Sequence, residues 1–504
     1  MWDGVTTGLS TALVPENLLL VATGCITGTF IGMLPGLGPI SAIALMIPMT
    51  YGFDPASGMI LMAGVYYGAI FGGSTSSILV NAPGVAGTVA TSFDGYPLAQ
   101  QGKAGKALAI AAIASFAGGT MAAVLLMIAA PALAQVSLSF QSPDYLMLMI
   151  LGLTAVSAFV SPGKVLQALI ATVIGLMLST VGTDPSAGIQ RFTFGSLDLV
   201  DGISFLLLAM ATFALSEALL SVLKRDDRKA DELAEAGEDI GSLKIEKEVF
   251  RQIVPVVGRS SVTGFFIGVL PGAGATIASF IAYGIERALA PVREKLKFGK
   301  GSVRGLAAPE SANNAACTGS FVPLLTLGIP GSGTTAVMLG ALISYGVQPG
   351  PQLFQNNPDV FWSVIISMYI GNLILLILNL PLIPYIARLL ALPKQLLVPL
   401  ILFFSLIGVY LVSFNPFDIY MMTAFALVAI CLRLFDYPMA PLILGFILGG
   451  MMEDNLQRTM TLYDGSFRFL WERPVSFGIA ILLVAVVLTP IVRGLRAGAS
   501  HQPK

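Results

Sequence analysis

The chain has 504 residues, 55% of them hydrophobic and only 11% charged, with a mean hydropathy of +0.84 and a formal net charge of −1. A soluble globular domain carries roughly 25% charged residues, so this composition excludes one and describes a polytopic membrane protein. The near-neutral balance also excludes a general nucleic-acid binder. The one histidine, His501, lies in a polar tail, which rules out a His-based metal site or catalytic triad. Cys25, Cys317 and Cys431 lie in apolar stretches without paired spacing and read as small buried hydrophobic residues.

The Met1-Trp2-Asp3-Gly4 start lacks a basic n-region, which argues against a cleaved signal peptide. Gly28-Thr29-Phe30-Ile31-Gly32-Met33-Leu34-Pro35-Gly36-Leu37-Gly38 follows, and it recurs as Gly264-Phe265-Phe266-Ile267-Gly268-Val269-Leu270-Pro271-Gly272-Ala273-Gly274. Eight of the eleven positions are identical, and the shift is 264 − 28 = 236 residues. A helix cannot pass regularly through the Pro-Gly-x-Gly break, because proline lacks an N–H and clashes with the preceding turn. Two broken hydrophobic segments at matching places in two halves point to a transporter's binding site. Candidate spans run over 58–80, 107–134, 145–160, 164–182, 202–223, 306–328, 360–387, 396–414, 417–434 and 475–492, several near the roughly 20 residues a bilayer requires.

Charge placement gives the topology. Lys224 to Arg251 holds seven basic and nine acidic residues in 28, a solvated linker with a short helix expected around Asp231–Glu238. A second basic cluster follows at Arg287, Arg293, Lys295, Lys297, Lys300 and Arg304, and the positive-inside rule places both in the cytoplasm. Residues 252–286 between them are too few for two full spans and predict a re-entrant hairpin with Pro271-Gly272 at its tip. No Lys or Arg precedes Lys103, so the matching hairpin at 17–51 is expected to enter from outside, making the halves inverted repeats. Each half carries a second Pro-Gly break, Pro83-Gly84 and Pro330-Gly331, offset by 330 − 83 = 247.

Breaks create helix N-termini whose free N–H groups bind carboxylates, while carbonyls across the break can ligate sodium. Pro35, Gly36, Gly38, Gly272 and Gly274 at the hairpin tips are the first candidates. Gly84, Gly331, Ser332, Gly333 and Thr334 at the second breaks follow. Gly28, Gly32, Gly264 and Gly268 read instead as helix-packing positions. Ser74, Thr75, Ser76 and Asn81 supply hydroxyls and an amide within an apolar segment, with cross-helix bonding as the bland alternative. Glu310 lies six residues beyond Arg304 and reads as an interfacial acid, leaving Asn313 and Asn314, one turn deeper, as better ligands. Glu217, Asp418, Asp436, Glu453 and Asp454 fall near span ends and read as solvated.

The duplicated phrase, Gly72–Gly84, Ala308–Ala316 and Ile329–Gly333 together resemble the large membrane subunit of tripartite tricarboxylate transporters, the TctA family. The likeness covers nearly the whole chain. It implies a bacterial system with a small four-helix membrane subunit (TctB-like) and a periplasmic solute-binding protein (TctC-like), driven by a sodium or proton gradient. Consistent with that, no GxxxxGK[ST] loop is present.

The expectation is an all-α polytopic protein with two inverted-topology repeats, re-entrant hairpins and roughly 10–12 transmembrane helices. Its parts are a first repeat at 1–223, a charged cytoplasmic linker at 224–251, a second repeat at 252–493 and a polar tail at 494–504. The expected function is import of a citrate-like di- or tricarboxylate across the bacterial inner membrane by cation-coupled alternating access. No cofactor, nucleic acid or enzymatic step is expected; the coupling ion is Na⁺ or H⁺, with Gly36, Gly272 and Asn314 as its possible ligands. The alternatives are a scaffold or channel subunit without coupled transport, or a membrane-embedded enzyme.

Overall fold

The computed structural model describes residues 2–34, 37–158, 164–184, 187–223, 240–272, 274–387 and 394–499. Pro35, Gly36, Ala273, the helix expected at Asp231–Glu238, much of the 224–251 linker and residues 500–504 lie outside them. Among the described residues the regular secondary structure is helical apart from one ribbon pairing Gly182–Thr183 with Gln190–Arg191. The first half holds α1 (Trp2–Ala12), α2 (Pro15–Met33), α3 (Pro39–Met46), α4 (Pro55–Val80), α5 (Val89–Leu98), α6 (Ala104–Ser137), α7 (Ser142–Ala158), α8 (Val165–Ser179) and α9 (205–223, π-helical over Met210–Leu215). The second half holds α10 (Lys247–Val269), α11 (Gly274–Leu289), α12 (Val303–Gly319), α13 (Phe321–Leu327), α14 (Gly333–Ser344) and α15 (Pro358–Asn379). It ends with α16 (Lys394–Ser413), α17 (Pro416–Leu434), α18 (Met439–Leu462) and α19 (Pro474–Ala499).

Local chemistry sets these ends. Prolines open α2, α3, α4, α15 and α17, where a missing N–H costs nothing. Asp54, Ser302, Ser332 and Asn415 cap α4, α12, α14 and α17 through their side chains. Six helical stretches are long and apolar enough to cross a membrane: α2, α4, the run Ala86–Ser137, α10, α15 and α17. Shorter apolar helices accompany them, so the chain is a multi-pass membrane protein. Outward-facing Phe403, Leu406, Tyr420, Leu427, Ile481 and Leu482 on α16, α17 and α19 suit a lipid surround. Cys25 and Cys317 are buried as expected, whereas Cys431 is exposed on α17.

The halves repeat backbone as well as sequence. α2 stops at extended Leu34 (φ −80°, ψ 117°) and α10 at extended Leu270 (φ −76°, ψ 121°), an offset of 270 − 34 = 236. α4 stops at left-handed Asn81 (φ 51°) and α13 at left-handed Gly328 (φ 69°), an offset of 328 − 81 = 247. The next N–H groups, of Ala82 and Ile329, then reach the carbonyls of Ser76 and Pro323, again 247 apart.

Packing fixes direction. A Cβ on Gly28 would overlap the Val65 carbonyl and one on Gly32 the Ala69 carbonyl; Gly264 and Gly268 meet Ala312 and Ala316 in the same way. Both partners advance by four together, so α2 runs parallel to α4 and α10 to α12, and these glycines are packing positions. The chain between each parallel pair must return, and α3 and α11 are those return arms. The arms are unequal, however. α10 is 23 residues long and begins at Lys247, inside the stretch read as linker, so the descending arm is a full-length helix and only the return is short.

Ser74 on α4 donates to Glu310 on α12, while Tyr67 stacks on Phe321, with 5.9 Å between ring centroids. One numbering falls as the other rises, so α4 and α12–α13 are antiparallel. The two hairpin-bearing halves therefore point in opposite directions and meet along these helices.

Candidate functional site

α12 carries Ala308-Pro309-Glu310-Ser311-Ala312-Asn313-Asn314, yet every residue from Gly305 to Gly319 is buried. The reason is that α12 runs inward from its Ser302 cap and is enclosed by α4, α5, α6, α10 and α11. Glu310 is therefore not a solvated surface acid. It is 0% exposed and accepts hydrogen bonds from three helices of the first half: Ser74 of α4 to Oε2 at 2.8 Å, Ser115 of α6 to Oε2 at 2.7 Å, and Thr91 of α5 to Oε1. Arg304, the neighbour that suggested an interface, hydrogen-bonds Glu286 instead, at 2.8 Å from its Nε.

One turn beyond Glu310, Asn313 faces Gly87 at the start of α5, where an added Cβ would lie 2.5 Å from Oδ1. Asn313 is fully buried, and neither its Oδ1 nor its Nδ2 has a hydrogen-bond partner among the described residues. Buried amides ordinarily find partners, so this one is a candidate to bind a ligand. Asn314 donates from Nδ2 to the Glu310 carbonyl at 3.0 Å, leaving its Oδ1 unpartnered as well. The N–H groups of Ala86 and Gly87, which open this turn, make no hydrogen bond among the described residues.

The second half has a counterpart. Ser332 caps α14 in a capping box, its Oγ accepting from Thr335 N–H at 3.2 Å while Thr335 Oγ1 accepts from Ser332 N–H at 2.8 Å. Tyr66 lies with its hydroxyl 3.4 Å from Ser332 Oγ, and it occupies on α4 the place of Asn313 on α12 (313 − 66 = 247). Gly272, at φ 80°, donates its N–H to the Gly331 carbonyl at 3.1 Å, which ties the hairpin tip to the second break. The N–H groups of Gly333 and Thr334 are left without hydrogen bonds among the described residues. Each half thus presents a helix start with free donors, one facing an amide and the other a phenol, an arrangement chemically suited to an anion.

The remaining candidates divide. Gly38 caps α3 and Gly274 opens α11, both with open space around them. Side chains at Gly84 and Gly331 would strike the Gly32 carbonyl and Ser320, so both are close-packing positions. Ser76 bonds its own helix at the Gly73 carbonyl, 3.2 Å away. Asn81 is exposed, and its left-handed counterpart Gly328 has no side chain, so the shared property is a helix-ending backbone rather than a ligand. Glu217 and Glu453 are not simply solvated: they pair with Arg433 and with Arg191, the latter at 2.7 Å. Thr91, Ser115 and Tyr66 were not foreseen. Ser115, a hydroxyl in an alanine-rich helix, was the one visible hint.

A cavity of about 490 Å³, lined by Tyr145, Gln348, Asn455 and Arg458 among others, opens where α6 and α14 end.

Residues 18–444 match the family model described as "Tripartite tricarboxylate transporter TctA family". The chain is 41% identical over 497 residues to an uncharacterized 52.8 kDa protein in the TAR-I ttuC' 3' region of Agrobacterium vitis, covering 98% of this chain and 97% of that one. An uncharacterized protein in the TAR-II ttuC' 3' region of the same organism is 41% identical over 236 residues, 46% of this chain and 97% of its own length. No solved structure matches.

Proposed function

The chain belongs to the tripartite tricarboxylate transporter TctA family, and from that premise we propose that it is the large subunit through which a small di- or tricarboxylate enters across the bacterial inner membrane. The observation that carries this reading is Asn313, a fully buried amide with both polar atoms unpartnered, facing the free N–H groups at the start of α5. Those donors, with Gly333 and Thr334 at the start of α14, recognise carboxylate oxygens without an arginine, so the net charge of the path stays low. A periplasmic binding protein selects and delivers the substrate, and a small four-helix subunit completes the complex. The 490 Å³ cavity beside Arg458 is the entry vestibule.

Transport is cation-coupled and proceeds by alternating access, in which the antiparallel halves exchange roles around the site. The test is gradient-dependent uptake in proteoliposomes holding all three components. Gly272→Val forces a β-branched residue into a left-handed backbone and should abolish uptake while leaving membrane insertion intact. Uptake near normal in that variant sinks the tip assignment. Uptake that needs no cation gradient favours a channel or scaffold subunit instead.

A further inference from the structure

We propose that Glu310 is the carboxylate of a sodium site, distinct from the amide-lined substrate site one turn along α12. The proposal deepens the cation-coupled reading above and moves the coupling ion from the hairpin tips to the contact between the two halves.

Three observations converge. Beside Ser74 and Ser115 lies a cavity of about 10 Å³, lined by Ser74, Thr75, Ser115 and Asn379 together with apolar residues of α4 and α6. It has room for about one water-sized particle. Asn379, on α15, donates from Nδ2 to the Leu375 carbonyl at 3.0 Å, but its buried Oδ1 has no partner among the described residues. The Thr75 hydroxyl makes no hydrogen bond among them either. With the hydroxyls of Ser74 and Ser115, four side-chain oxygens line this small space, and Glu310 Oε2 stands directly behind it, hydrogen-bonded to both serines. Hard cations are held by such sets of carboxylate, amide and hydroxyl oxygens.

The charge balance points the same way. Among the described residues no Lys, Arg or His bonds to Glu310, whose partners are three neutral hydroxyls. Asp94, one turn from Thr91, also lacks a cationic partner among the described residues, but its Oδ1 is held by the backbone N–H groups of Gly299, Gly301 and Ser302 at 2.7–2.9 Å, away from this cavity. An uncompensated carboxylate inside a membrane protein is costly, and a bound cation supplies the missing charge. The oxygens come from α4 and α6 in one half and α12 and α15 in the other, so occupancy joins the halves and favours the conformation that closes them.

The test is binding of radioactive sodium to the purified full chain, with sodium chloride as the only ligand and potassium as the balancing salt. Because no carboxylate is present, the result stands or falls apart from the transport reading. Glu310→Gln should abolish saturable sodium binding. Asn379→Ala and Ser115→Ala, which leave the carboxylate in place, should each weaken it by about 10-fold or more. Size-exclusion and thermal-unfolding profiles establish that the variants are folded, and the two alanine variants keep the test decisive if Glu310→Gln is not. Wild-type sodium affinity in Glu310→Gln and Asn379→Ala overturns the site. So does an absence of sodium binding in the wild type, and an infrared carboxylic-acid band lost in Glu310→Gln would then assign a proton to this group instead.

Discussion

Two buried carboxylates stand 24 residues apart in the second half and are served in opposite ways. Glu286 on α11, 1% exposed, receives Arg259 at 2.9 and 3.0 Å and Arg304 from the start of α12. Glu310, 0% exposed, receives three hydroxyls and, among the described residues, no cation. Asp144 follows the Glu286 pattern, paired with Arg473 at 2.7 Å and Ser476 at 2.6 Å. A carboxylate paired with arginine has its charge balanced for good and fastens two helices together. Glu310, met only by neutral hydroxyls among the described residues, is hydrogen-bonded but not neutralised, and the proposed sodium would supply the missing charge.

The largest expected effect separates these two acids by what each loss damages. Glu286→Gln leaves two guanidiniums opposite a neutral amide. Breaking a buried pair costs about 3–5 kcal/mol, less here because Arg259 is 43% exposed and its charge is screened. The expected outcome is a clearly lowered thermal-unfolding midpoint with sodium affinity unchanged in the folded fraction. Glu310→Gln should do the reverse, losing sodium and keeping its midpoint. If the two variants exchange these phenotypes, the contrast between lock and site is wrong.

Next in size are the parallel helix contacts, where nothing is left open for a ligand. Gly32→Val and Gly268→Val each push a side chain into a neighbouring backbone carbonyl, at Ala69 and Ala316. Overpacking of this kind costs about 1–3 kcal/mol, more when backbone must move. Similar losses of thermal stability in the two variants are expected, since the contacts are copies. A large loss in one alone would mean that the halves are not built alike.

The helix breaks and the two offsets were legible because proline and glycine act locally, so their meaning travels with the sequence. The inverted direction was legible too, from where the basic loops fall. Glu310 was not. Its distance from Arg304 along the chain says nothing about which way α12 runs, and its donors Ser74, Thr91 and Ser115 arrive from three separate helices. Only tertiary packing brings a single acid under three hydroxyls. The length of α10 was hidden for a related reason: Lys247–Arg251 carries charges that look like linker but lie on the first turns of a helix.

A smaller effect on stability, with a larger one on function, is expected at Asn313. Its amide has no partner to lose among the described residues, so Asn313→Ala should leave the unfolding midpoint unchanged or slightly raised, because an unsatisfied buried polar group is removed. Uptake should nonetheless fall at least about 10-fold, the loss expected when a charge-assisted hydrogen bond worth about 1.5–3 kcal/mol is removed. A destabilised variant with normal uptake would move Asn313 into the same class as Glu286.

The smallest effect is expected at Asn81, and it tests the comparison from the other side. Asparagine is favoured both as a ligand and as a left-handed helix end, so residue type cannot separate the two roles. Position can: the residue 247 places on is Gly328, which repeats the left-handed turn (φ 69° against 51°) and offers no side chain. Asn81→Gly preserves what the two positions share and should change stability by no more than about 0.5 kcal/mol, with uptake near wild type. Asn81→Val keeps a side chain but strains the turn by about 1–2 kcal/mol and should depress uptake by displacing the Pro83-Gly84 break that follows. If Asn81→Gly abolishes uptake while its unfolding midpoint stands, the amide itself is the working part. The backbone account of the break would then have to yield.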